Sequence, residues 1–78
     1  MDELDQTRMR IEKDIDEFYL NLRKLRQGKL GRKSVELSEM YAKDSKSYLD
    51  KSDYYTSFSC ISYAHGLVDA LREFSKRR

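Results

Sequence analysis

The chain has 78 residues, no proline, three glycines and 38% charged residues, which leaves room for one domain and favours helices over sheets. Its apolar residues recur with a period rather than sparsely, which argues against a disordered chain, and no apolar run approaches the ~18 residues of a membrane span. A net charge of +2 by itself selects no partner, and a length this small sits near the low end of what folds without metal or disulfides.

The opening Met1–Gln6 is acidic and lacks the basic-then-apolar order of a signal peptide. Cys60 is the only cysteine and can form no internal disulfide. Together these predict a reduced, cytoplasmic protein.

A first helix is expected over residues 3–27, starting just after Asp2, with Glu3 and Asp5 at the positive end of its dipole. Leu4, Ile11, Ile15, Phe18, Leu22 and Leu25 follow at spacings of mostly three and four, the narrow seam of a bundle helix. Arg8 interrupts that seam one turn from its start, so the first turns should fray. Gly28 should stop the helix, with Leu30 tucked over the bundle end.

A second helix is expected over residues 34–51. Ser34 is its candidate N-cap, and Leu37, Met40, Tyr41, Tyr48 and Leu49 form its apolar face. Lys51-Ser52-Asp53 permits only a tight turn, so the second and third helices must be antiparallel. Asp53 should cap a third helix over residues 53–75.

That third helix organises the rest. From Asp53 to Phe74 its apolar and small residues fill an arc of about 240°, wider than a single buried stripe. Phe58, Ile61, Val68 and Leu71 lie on one part of the arc, and Cys60, Leu67 and Phe74 on the other. Ser57 and Ala64, near the middle, are small enough to admit a neighbouring helix. The predicted architecture is therefore all-α, an up-and-down antiparallel three-helix bundle in which the last helix is gripped from both flanks. A surplus of its apolar arc would be available for self-association.

Residues 23–33 carry six bases and no acid. Up-down-up helices would gather Arg23, Lys24, Arg26, Lys29, Arg32, Lys33 and the terminal Lys76, Arg77 and Arg78 at one pole. Asp2, Glu3, Asp5, Asp50 and Asp53 would collect at the other. Dipole complementarity accounts for much of this pattern without any function. The functional version is an anionic partner at the basic pole, such as RNA, a ribosomal surface or an acidic protein. The 23–33 run contains no aromatic residue for stacking bases, which argues against reading of single strands.

Two polar constellations remain. His65 and Asp69, four apart, share a helix face, and a carboxylate beside an imidazole is half of a catalytic triad. No motif supplies a nucleophile, and one histidine offers too few ligands for zinc, so a structural His65 bonded to a neighbour is the favoured reading. Asp44 falls among Tyr41, Tyr48 and Tyr63, level with residues 60–61 across the turn. Tyrosine hydroxyls donating to that carboxylate would satisfy buried polar atoms and set the helix register, or would line a small polar pocket. Gly66, on the wet side of the third helix, costs ~1 kcal/mol against alanine; close approach of a backbone from a second copy or a partner would offset that, and an incidental glycine is the other reading.

YAHGLVDAL at residues 63–71, preceded by Tyr41-x-x-Asp44-x-x-x-Tyr48 and the Lys51-Ser52-Asp53-Tyr54 turn, resembles a small archaeal family catalogued as a domain of unknown function, number 357. The likeness covers roughly residues 37–73. Ser52 stands where that family commonly has glycine, and Ser57 where it commonly has alanine. The resemblance implies a left-handed up-and-down three-helix bundle in an archaeal cytoplasm, and no activity. The combined expectation is a non-catalytic protein–protein interaction module without cofactor, metal, membrane association or identifiable small-molecule substrate. A nucleic-acid or ribosome-associated binder is the alternative. A small enzyme using His65, Asp69 and Asp44 ranks third.

Overall fold

A computed structural model describes residues 2–25 and 31–76, with the side chains of residues 75 and 76 left aside. The described residues form three helices and no strand: α1 (Glu3–Leu25), α2 (Arg32–Asp50) and α3 (Tyr54–Lys76). The bundle is a bar of 46 × 19 × 15 Å. α2 and α3 pack most extensively, α1 lies mainly against α3, and the α1–α2 interface is the thinnest.

The helix ends follow from local chemistry. Asp2 accepts the Asp5 amide on its side chain at 2.9 Å and starts α1. Asp53 does the same for Thr56 at 3.2 Å and starts α3. Between α2 and α3, the Asp53 amide donates to Tyr48 O and the Ser52 amide to Leu49 O, each at 2.9 Å. This is a Schellman closure with Ser52 in the left-handed position, φ 62°, where glycine is usual. Asp53 thus ends one helix and begins the next.

Besides the expected apolar face of α2, where Leu37 and Met40 are exposed and Ser38, Ala42, Ser45 and Leu49 are the buried residues, three expectations need correction. First, α2 does not begin at Ser34. It begins at Arg32, with Gly31 as N-cap at φ 75° and no side-chain cap. Gly31 abuts the Leu71 side chain so closely that a Cβ there would collide with it. The contact with α3, rather than a serine hydroxyl, sets the start of the helix. Second, Arg8 is not a mere interruption of the α1 seam, although the first turns beside it are exposed. Its guanidinium donates from both terminal nitrogens, at 3.4 Å each, to the Leu49 carbonyl at the end of α2. Third, the buried stripe of α3 is narrow, comprising Ser57, Ile61, Ala64 and Val68, while Phe58 and Phe74 are about half exposed. The expected end of the first helix at residue 27, the Gly28 stop and the Leu30 tuck lie outside the described residues, as do Arg26, Lys29, Arg77 and Arg78.

Stagger explains two of the exposed apolar residues. Arg8 is level with the end of α2, so the first turn of α1 projects beyond the α2–α3 turn and leaves Leu4 61% exposed. At the other end α2 starts beside Leu71, so the last turn of α3 runs past it and leaves Phe74 57% exposed.

The core is Ile11, Ile15, Phe18 and Leu22 from α1, Ala42 and Leu49 from α2, and Ile61, Ala64 and Val68 from α3. Small residues line the α2–α3 seam, where Ser38, Ala42, Ser45, Ser57 and Ala64 are all fully buried. Two of them clasp the helices together. Ser45 Oγ donates to Ser57 O at 2.8 Å, and Ser57 Oγ donates to Ser45 O at 2.7 Å. Among the described residues no buried side-chain polar atom lacks a partner.

Candidate functional site

Because α1 covers one side of the α2–α3 pair, the opposite side of that pair has no helix over it. Residues 37, 41, 44 and 48 share one edge of α2, and residues 56, 60, 63, 67 and 74 share the facing edge of α3. Tyr41 and Tyr63 meet across the seam, ring centroids 4.5 Å apart and planes tilted by 45°. The same antiparallel register sets Asp44 opposite Cys60. Burial, then the Asp44 charge, then the Asp53 charge push the Cys60 thiol above its ordinary pKa. Continuing this antiparallel register sets Leu37 against Leu67 and Tyr48 against Thr56. The Tyr48 ring also carries the Lys51 ammonium 5.6 Å from its centroid.

The face is therefore mostly aromatic and apolar, with Tyr63 52% exposed, Tyr41, Tyr48, Cys60 and Leu67 half-buried, Asp44 as its one carboxylate and the Lys51 ammonium at its edge over Tyr48. In a chain with 38% charged residues that depletion is pronounced. Apolar surface of this kind gains free energy when water leaves it.

The two polar constellations separate. Tyr41, Asp44, Tyr48 and Tyr63 come together on this face, but Asp44 is exposed. Among the described residues no tyrosine hydroxyl donates to it. His65 turns the other way, towards α1. Its Nε2 lies 2.7 Å from the Asp14 carbonyl, which can only accept, so His65 donates. The His65 ring stands edge-on to Phe18, centroids 5.8 Å apart, with the interplanar angle at 90°. Asp69 is exposed and makes no hydrogen bond with His65 among the described residues. Asp44, on the far flank of the seam, does not approach either. No group of three or more His, Cys, Asp or Glu residues among the described residues is arranged to hold a metal ion.

At the basic pole, Arg23 and Lys24 close α1 and Arg32 and Lys33 open α2, all four exposed. The first turn of α2 contains no acid. Dipole complementarity accounts for the cations ending α1 but opposes those starting α2. Gly66 meets nothing within 4 Å of where a Cβ would stand, so none of the described backbone approaches it. The serine clasp and the Arg8 cap escaped the sequence reading. The sequence offers one signal for the clasp, a serine on each helix at a position that faces the neighbour, Ser45 between Tyr41 and Tyr48 and Ser57 in the middle of the α3 arc.

The fold and face define a compact all-α three-helix bundle presenting an uncovered tyrosine-rich flank. A family model described as "Protein of unknown function (DUF357)" matches residues 10–76, and the chain belongs to that family. The match takes in most of α1, beyond the α2–α3 segment that carried the sequence resemblance. No curated protein matches the chain. Among the described residues no helix is long and apolar enough to cross a membrane.

Proposed function

We propose that the protein is a non-catalytic protein–protein interaction module of the cytoplasm that docks through the flank of α2 and α3 opposite α1. The observation carrying this reading is a patch of aromatic and apolar side chains with one carboxylate, on a chain otherwise dense in charge. Tyrosines suit such a surface, since each buries a large ring at small entropy cost and keeps a hydroxyl for the partner. The absence of catalysis draws support from the divergence of His65, Asp69 and Asp44. A photo-crosslinking residue at position 63, with the same residue at exposed Glu17 of α1 as control, tests the reading in cells. Adducts specific to position 63 and abolished by Tyr41→Glu are expected. Equal or absent labelling at both positions would refute it.

A second reading places an anionic partner, RNA or an acidic surface, at the basic pole. Its support is the pair Arg32 and Lys33 at the helix end where cations are least favoured. Salt-sensitive RNA binding lost on reversing Arg23, Arg32 and Lys33 to Glu is its expected signature. Binding unaffected by those reversals eliminates it.

A further inference from the structure

We infer that the partner on the tyrosine flank is a second copy of this chain, related by a two-fold axis that sets the two molecules antiparallel. The inference rests on the docking reading above and adds the identity and orientation of the occupant.

Three features of the flank argue for a copy. The first is its symmetry along the bar. Tyr41 stands at the midpoint of α2 (Arg32–Asp50) and pairs with Tyr63. An axis perpendicular to the helices at that level therefore lays α2 over its full length on α2 of the other molecule, and α3 on α3. The second is area. A 19-residue helix is about 28 Å long. With the 19 Å width of the bar, the footprint is roughly 540 Å² per copy before the relief of side chains is counted. Both copies together reach the range where specific small interfaces begin.

The third feature is charge, and it chooses the orientation. A surface can be folded onto its own copy by an axis along the helices or across them. Residues 20–25, 31–38 and 66–74, at one end, carry five cations and three acids. Residues 2–8 and 46–58, at the other, carry five acids and three cations. The axis along the helices would stack like ends together. The axis across them sets each end against its opposite, and complementary ends both steer association and suppress the wrong register. In that arrangement Asp44 of one copy comes beside Tyr41 of the other. The one carboxylate on the face then gains the hydroxyl donor it lacks in the single chain.

Sedimentation equilibrium from micromolar to millimolar protein tests the association. A species of twice the 9.3 kDa protomer is expected. Tyr63→Glu should weaken its dissociation constant at least about tenfold with the helical circular dichroism unchanged. Should that variant unfold, Phe74→Ser at the exposed end of the same flank serves instead. Orientation is read by oxidation in a Cys60→Ser background. Tyr63→Cys should cross-link to itself, because α3 lies on α3 across the axis. Cross-linking only between Tyr41→Cys and Tyr63→Cys molecules would mean α2 on α3 and overturn the antiparallel arrangement. A strict monomer at every concentration overturns the self-partner. If adducts from position 63 then contain another protein, the docking reading survives without it; if there are none, both fail.

Discussion

The serine clasp between α2 and α3 makes a graded prediction. Ser45 Oγ lies 2.8 Å from Ser57 O and 3.1 Å from Ser57 Oγ, in a site with no solvent access. Ser45→Ala removes one donated bond and keeps the reciprocal bond from Ser57, so the loss should be about 1 kcal/mol. Ser45→Val also places a methyl where an oxygen accepted close contact. Carbon and oxygen settle at roughly 3.5 Å, so the helices must part by about half an ångström or the side chain must leave its rotamer, which adds about 1–3 kcal/mol. The order of stability is therefore wild type, Ala, Val. For a domain of this size each kcal/mol moves the melting point by about 4–8 °C. Urea unfolding followed by helical circular dichroism, with the slope m held in common, measures both losses. A valine variant as stable as the alanine one would show that the seam has slack, and the argument from close approach would fail.

Gly66→Ala should stabilise the fold by about 0.5–1 kcal/mol in thermal melts, because an exposed helical glycine has open space for a Cβ. Gly31→Ala should instead destabilise by more than 1 kcal/mol, since φ 75° and the Leu71 contact both oppose a side chain. Equal effects at the two glycines would contradict the cap geometry. Ser52→Gly relieves a left-handed residue at φ 62° and should raise the melting point by a few degrees, a net gain of up to about 1 kcal/mol. Cys60 has its pKa raised, so its thiol stays protonated, and slow to alkylate, to higher pH than an ordinary cysteine. Asp44→Asn removes one cause of that rise, and iodoacetamide labelling near neutral pH should quicken; an unchanged rate would place Asp44 too far from the thiol to matter.

The elements legible in the sequence are those fixed by neighbours along the chain. Asp2 and Asp53 cap their helices by reaching three residues ahead, and the Lys51–Asp53 turn is too short for any geometry but antiparallel. Ser57 and Ala64 are buried at the centre of the α3 stripe because small residues there admit α2. What was illegible depends on register between helices. Ser34 is a good local cap, but the Gly31–Leu71 contact starts α2 earlier. Arg8 looked like a defect in the seam because its acceptor, Leu49 O, is 41 positions away. Phe74 fits the apolar arc on a helical wheel, yet the wheel does not show that α2 ends before reaching it. The tyrosine face was half visible. Tyr41, Asp44, Tyr48 and Tyr63 share one flank, but Asp44 is exposed and accepts no tyrosine hydroxyl among the described residues, while His65 faces α1 and Asp69 is exposed.

The serine clasp and the tyrosine flank are consequences of one packing choice. Hydroxyl-to-carbonyl contacts under 3 Å bring the backbones of α2 and α3 so near that no large side chain fits between them. Bulk on either helix must then leave the seam sideways. On one side α1 receives it, and Phe18, Ile11 and Ile15 complete a dry core. On the other side the rings of Tyr41 and Tyr63 lean on each other and leave their outer surfaces to solvent. A chain selected only to fold could place lysine and glutamate at those positions at little cost, as it does at most of its surface. Keeping tyrosine, leucine and phenylalanine there instead favours a surface meant to be covered.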